Sequence, residues 1–344
     1  EELGERIWKR LSGEMEQKPE PFDNLPFPYR VEKGESIDVP KSLHNKKIVV
    51  IGAINQDTLL YVGQPPQNGE TATIRKRVIL PGGKGLNQAL GTTRLGAETY
   101  LIGKIGKDYA GSTIYDFLKT NNVNTEGVIM EPTLSTGEAY IEVSENGDSS
   151  IVLYDGANAG LTPHDIHFYE SLLKGASFCL LQTELPMETV EYAAALAREH
   201  NVPTILKPCA VSALSDPLLH HIDILLPNAQ EADRLLPDIP TVEEKAEWFR
   251  AHGVPTVIIT LGNQGCYLRD AAHSTYFEAA DVTAVDTTGA ADAFASALAV
   301  YLSRKYSLVT AIRYATGAAG LSVTRQGVPP ALIDQSTLEL YMEK

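Results

Sequence analysis

At 344 residues, with 43% hydrophobic and 21% charged side chains, the chain has an ordinary soluble globular composition, sized for one large α/β domain with an appendage or for two domains. A formal net charge of −15 argues against broad nucleic-acid affinity. No apolar run is long enough to suggest a membrane span, no charged-then-apolar leader opens the chain, and Cys179, Cys209 and Cys266 are scattered, so they read as reduced thiols of a cytoplasmic protein.

Residues 1–46 form an N-terminal extension. Leu3, Ile7, Trp8 and Leu11 recur at helical spacing, so a short amphipathic helix is predicted over 1–14. Residues 17–46 hold several prolines and charges without a period and read as a linker or arm. The chain starts at Glu1 rather than Met, which reads as a trimmed or processed start. A domain over 47–344 then opens with the apolar strand Lys47-Ile-Val-Val-Ile-Gly-Ala-Ile. Asn55 and Asp57 flank one position at its end. They can point to the same side and bond adjacent hydroxyls, or serve as turn residues.

Strands near 59–63 and 71–79 follow one another without an intervening helix, as do the two arms of a hairpin over 138–153 with an Asn146-Gly147 turn. They predict a small separate sheet with strands from about 58–80 and 136–154, whose edges need cover. Gly82, Gly83 and Gly85 make a flexible turn around Lys84, followed by a helix carrying Asn87. This is not a phosphate-binding Walker loop: no Gly lies five residues before Gly83, and Gly85 replaces the Ser or Thr after the Lys. Lys84 and Asn87 suit a polyhydroxylated small molecule better.

Strand-like runs near 99–105, 178–184, 203–207, 223–227 and 256–260 alternate with helical patterns such as Thr189–Glu199 and Glu243–Ala251. That order predicts a parallel sheet flanked by helices. Glu184 ends one apolar run, as either a ligand or a rim charge. The histidines, His220 and His221 included, lack metal-binding spacing and read as surface residues.

Residues 286–298 lead a small-residue turn into a helix starting near Gly289, with Asp292 at the junction. A helix start presents unpaired N–H groups and positive dipole charge, and an Asp there can take a proton from an attacking hydroxyl. The combination suits phosphoryl transfer, although an ordinary turn and cap would look the same in isolation.

The two glycine-rich stretches together resemble the signature motifs of the PfkB carbohydrate kinase family, its ribokinase branch in particular, over roughly 47–335. Seven further stretches stand in the expected order: Asn55-Gln-Asp57; Pro66-Gln-Asn-Gly69-Glu70-Thr71; Gly103-Lys-Ile-Gly106-Lys-Asp108; Asp155-Gly-Ala-Asn158; Gln182-Thr-Glu184; Pro227-Asn228-Ala-Gln-Glu231; and Thr260-Leu-Gly262-Asn-Gln-Gly265. The resemblance implies a ribokinase-like three-layer α/β sandwich with a mostly parallel central sheet and a β-sheet lid. It also implies ATP-dependent sugar phosphorylation and a homodimer paired through the lids. Asn55, Asp57, Gly83, Lys84, Asn87 and Glu184 would bind sugar. Asp292 would be the base, with Gly289, Ala290 and Ala291 completing an anion hole. Asn228, Thr260, Gly262 and Gly265 would face ATP, and Glu231 would organise Mg²⁺ through water. Asp286, Thr288, Ser322, Arg325, Gly327 and Ala331 match a monovalent-cation site, taken as K⁺. The acidic net charge does not oppose ATP, since local N–H dipoles, a Lys and Mg²⁺ can hold phosphates.

The chain departs from the family pattern at three places. Ala291 replaces a Gly, and would be strained if the backbone there needed positive φ. Lys207 stands where Asn is usual, as a phosphate contact or a solvated strand end. Ala331 replaces a Ser that often helps ligate the cation. D-ribose is the expected substrate. A nucleoside such as pseudouridine is the alternative, with Tyr140 and Tyr154 as candidates for the wall against its base. A catalytically weak sugar sensor, with 1–46 left from a nucleic-acid-binding module, is the third reading.

Overall fold

The computed structural model describes residues 46–63, 69–144 and 149–343. The helix expected over 1–14, nearly all of the 17–46 linker, part of the Pro66–Thr71 motif and the Asn146-Gly147 turn lie outside these residues.

The strands are β1 (Lys47–Ile51), β2 (Asn55–Tyr61), β3 (Lys76–Gly82), β4 (Glu98–Gly106), β5 (Val128–Glu131), β6 (Gly137–Val143), β7 (Ser149–Tyr154), β8 (Phe178–Gln182), β9 (Thr204–Lys207), β10 (Ile224–Leu225), β11 (Thr256–Thr260), β12 (Cys266–Arg269) and β13 (Ser274–Phe277). The helices are α1 (Lys84–Arg94), α2 (Tyr109–Thr120), α3 (Pro163–Phe168), α4 (Met187–Glu199), α5 (Asp216–His221), α6 (Ala229–Leu235), α7 (Val242–Ala251), α8 (Ala290–Ser303), α9 (Leu308–Ser322), α10 (Val328–Ala331) and α11 (Gln335–Met342).

The large sheet runs β13-β12-β11-β10-β9-β8-β1-β4-β5. It is parallel from β11 through β5 and antiparallel at the β11–β12 and β12–β13 pairs. Its central strands are buried on both faces, which is why they read as continuous apolar runs. Alternation then sorts their side chains into two cores. Ile48, Val50, Leu101, Leu180, Ile205 and Ile258 pack with α1, α2, α8 and α9. Val49, Ile51, Ile102, Leu181, Leu206 and Ile259 pack with α3, α4, α5 and α7. The result is three layers, as expected.

The small sheet runs β3-β2-β6-β7. The β6–β7 pair is antiparallel, the hairpin anticipated from alternation. Strand β3 is displaced from expectation: 71–79 was anticipated, whereas Lys76–Gly82 is observed. Strand β2 likewise begins at Asn55 rather than near 59. Register decides both. Asn55 pairs with Gly82 and Tyr61 with Lys76, so the antiparallel ladder starts where the chain leaves β1. The sheet therefore grows directly from the C-terminal ends of the central strands.

Candidate functional site

The C-terminal ends of β1, β8 and β9, the glycine turn before α1 and the start of α8 converge. Gly83 precedes α1 with φ +87°, and a Cβ there would lie 2.6 Å from the Ala53 carbonyl oxygen. Only glycine fits such a contact. The amide of Gly85 donates to the Ala53 carbonyl oxygen at 3.0 Å, seating the first turn of α1 on the end of β1.

Lys84, at the start of that turn, forms an ion pair with Glu184 beyond β8, Nζ to Oε1 2.8 Å. Burial works against the Lys84 charge, but Glu184 beside it holds the ammonium firmly protonated. Asp57 faces the same pair. Burial and the charges of Glu184 and Asp292 push its carboxyl up to about 7, against the pull of Lys84. Asn55 is buried, and its Oδ1 accepts from Asn158 Nδ2 at 2.7 Å. Asn158 Oδ1 in turn accepts from the Ile54 amide at 2.9 Å. The turn after β7 is thereby bonded to the start of β2. The sequence placed Asn158 in the expected order but gave it no role.

Asp292 is buried in the first turn of α8. Its Oδ2 accepts from Asn87 Nδ2 at 3.2 Å, and its Oδ1 from Gln88 Nε2 at 2.9 Å. Burial raises its carboxyl pKa, opposed by Lys84 and by the Gln88 hydrogen bond. Gln88 was not anticipated. The available signal was an amide buried among apolar neighbours beside Asn87. Asp108, at the end of the 103–108 motif, caps α2 and accepts from the Thr136 amide at 2.7 Å, tethering the start of β6.

On the other side of α8 lies a cleft of about 290 Å³. All four residues expected to face the nucleotide line it: Asn228, Thr260, Gly262 and Gly265. Ala290 and Ala291 form its wall at the helix start, which no side chain caps. Ala280, Val282, Phe294 and Ala319 give it an apolar side suited to a flat base. Gly289 takes the left-handed conformation at φ +79°, and Ala291 lies inside the helix without positive φ. The strain considered for Ala291 is therefore absent, because the left-handed residue is two positions earlier.

Lys207 is 2% exposed and its ammonium is paired with Glu231. It is not a solvated strand end. Glu231 Oε2 also accepts from the Asn228 amide at 2.7 Å, completing a capping box on α6. Among the described residues no group of three or more His, Cys, Asp or Glu side chains could hold a metal ion. A Mg²⁺ beside Glu231 would therefore need phosphate and water oxygens, which fits an indirect role.

Around the expected monovalent-cation site, Asp286 Oδ1 accepts from the Thr288 amide and Oδ2 from the Gly327 amide, both at 2.9 Å. One carboxylate thus joins the two loops. The Ser322 hydroxyl donates to the Ala319 carbonyl oxygen within its own helix. Arg325 is exposed and Ala331 buried. Ala331 thus offers no side-chain oxygen, while Ser322 keeps its oxygen lone pairs, leaving Asp286, Ser322 and backbone carbonyls as the fitting donors. Tyr140 and Tyr154 are exposed and, by register, lie on the face of the small sheet opposite Asp57. They do not form a wall over the Lys84–Glu184 pair.

Residues 45–334 match the family described as pfkB family carbohydrate kinase. The chain is 35% identical over 292 residues to a ribokinase of Staphylococcus aureus, covering 83% of this chain and 96% of that one. Its fold is similar to the crystal structure of ribokinase from Thermotoga maritima, with a TM-score of 0.80 at 32% identity, covering 87% of this chain and 100% of that one. It is also similar to Arabidopsis thaliana ribokinase complexed with ribose and ATP, with a TM-score of 0.79 at 29% identity, covering 87% and 99%.

Proposed function

The chain belongs to the pfkB family of carbohydrate kinases, and we propose that it transfers the γ-phosphoryl group of ATP to the primary hydroxyl of D-ribose, giving ribose 5-phosphate. The observation that carries this reading is the double role of the α8 start. Its Asp292 side chain is bonded to the sugar-side residues Asn87 and Gln88, while Ala290 and Ala291 line the opposite cleft. A hydroxyl and a triphosphate would thus meet across one helical turn. The ribokinase relatives, one of them described with ribose and ATP, support the choice of substrates.

In this mechanism Asn55, Asp57, Lys84 and Glu184 orient the sugar hydroxyls. The primary hydroxyl oxygen attacks the γ-phosphorus, the bond to the β-phosphate oxygen breaks, and Asp292 takes the proton. First-turn N–H groups of α8 stabilise the charge developing on the phosphoryl oxygens. Mg²⁺, when bound, would neutralise phosphate charge, with Asn228 and Glu231 ordering its water. K⁺ behind the anion hole would rest on Asp286 and neighbouring carbonyls. A homodimer paired through the small sheet would cover the exposed Ile79, Tyr140, Val152 and Tyr154. A cytoplasmic setting accords with three buried thiols that form no disulfide. No helix among the described residues is long and apolar enough to cross a membrane.

The test is product identification after incubation with Mg-ATP and ribose, other pentoses, hexoses and nucleosides. Ribose 5-phosphate from the wild type, with kcat lowered at least about a hundredfold in Asp292→Asn, is the expected result. Turnover of nucleosides alone, or of none of these acceptors, would overturn the proposal.

A further inference from the structure

Three side chains from three elements form a buried chain of hydrogen bonds ending on Asp292. Gln182, the last residue of β8, donates through Nε2 to Gln88 Oε1 at 2.6 Å. Gln88, on α1, donates through Nε2 to Asp292 Oδ1 at 2.9 Å. Both glutamines are fully buried. An ionised carboxylate only accepts, so Gln88 must present its NH₂ to Asp292 and its oxygen to Gln182. Gln182 must then donate as well, and its own oxygen is left without a partner. That oxygen lies against Gly52, where a Cβ would come within 1.7 Å of it. The direction of both amides thus follows from the charge at one end.

An orphaned buried acceptor is costly, so the arrangement calls for a compensating use. We propose that Gln88, itself held by Gln182, is a positioning residue that keeps the Asp292 carboxylate ionised and turned with Oδ2 towards the reacting hydroxyl. This rests on Asp292 being the base. Oδ1 is held by the shorter bond, from an amide that is itself anchored. Oδ2 has the longer bond, to Asn87, whose own buried Oδ1 has no partner. In the transfer step the hydroxyl proton goes to Oδ2, the new O–P bond forms, and ADP leaves, while the Gln88 bond to Oδ1 persists. The Ser296 hydroxyl lies 2.7 Å from the Asp292 carbonyl oxygen and 3.2 Å from that of Gln88, which fixes α8 against α1. The other charges acting on Asp292 are Lys84 at the start of α1, Glu184 after β8 and Asp57 on β2.

The experiment compares single-turnover rates across pH for wild type, Gln88→Met, Gln182→Met and Asp292→Asn. Gln88→Met removes a donor to the charged carboxylate, so the acid limb of the profile should move upward by about one pH unit. The plateau rate should fall about tenfold or more from lost orientation. KM for sugar and for ATP should stay within about threefold, since no substrate contact is removed. Gln182→Met keeps the direct donor and should shift the limb in the same direction by less, so it serves as the test if Gln88→Met does not fold. Wild-type limb and plateau in the glutamine variants, with Asp292→Asn inactive, would overturn the positioning role and leave the base intact. Wild-type rates in Asp292→Asn would remove the base assignment itself.

Discussion

Lys84 Nζ lies 2.8 Å from Glu184 Oε1, joining a glycine turn to the end of a strand 100 positions later. The pair holds two opposite charges beside Asp57 and Asp292, where a polyhydroxylated ligand would need both donors and acceptors. Glu184→Gln keeps the shape but removes the charge. Sugar affinity should drop by about 1–3 kcal/mol, roughly 5- to 150-fold, because a charged acceptor is replaced by a neutral amide with one acceptor oxygen fewer. ATP affinity measured calorimetrically without sugar should barely change. Equal losses for both ligands would point to a folding defect instead.

Asp57 gives the site a pH dependence. Its carboxyl is pushed from the ordinary 3.8 up to about 7, so the protonated form is favoured in the folded state. The sign follows: its stabilising contribution is complete below about 3.8 and is lost as pH rises through about 7. Sugar binding should run the other way, since the ionised form is the better acceptor. Ribose affinity without ATP should weaken by up to about tenfold per pH unit below 7. Asp57→Asn should bind weakly with a flat profile. A pH-independent wild type would contradict the assignment.

Lys207 and Glu231 should behave as a unit. Lys207→Ala leaves a carboxylate that has lost its buried counter-charge, at a cost of about 3 kcal/mol. Denaturant unfolding should show the loss. The double variant Lys207→Met/Glu231→Gln should recover part of it, because neither charge is then left alone. Additive losses would mean that the two residues are not coupled.

Ala291→Gly should bring no kinetic gain. Ala291 already has helical backbone, and Gly289 carries the left-handed conformation. The glycine adds unfolded-chain entropy, so stability should fall by about 0.4–1 kcal/mol with kcat and the KM for ATP unchanged. A faster Gly variant would show that the methyl group obstructs the phosphates, and would revive the weak-sensor reading.

K⁺ should raise activity over Na⁺ or a large organic cation at equal ionic strength. Asp286 already links the loops at Thr288 and Gly327. The buried Ala331 contributes no side-chain oxygen, so the increase should be modest. Identical rates in all three salts would remove the cation site.

Much of the architecture was legible because it is written in local periodicity. The apolar β1 run, the amphipathic α4 and α7 patterns and the small-residue turn before α8 each depend on neighbours in sequence. The turn glycines were legible too, since Gly83 and Gly289 hold backbone conformations that other residues resist. Tertiary structure alone decided the rest. Lid register moved β3 towards Gly82, because pairing with β2 outweighs weak local strand propensity. Short β5, β12 and β13 went unpredicted: they lie at or beside the edges of the large sheet, outside the central strands whose burial makes continuous apolar runs. The partners within the site came from strand order. With β8 beside β1 and β9 beside β8, Gln182 reaches Gln88, Gln88 reaches Asp292, and Lys207 is buried against Glu231. Sequence fixes which side chains are present. Which charges become buried partners depends on the packing of distant elements.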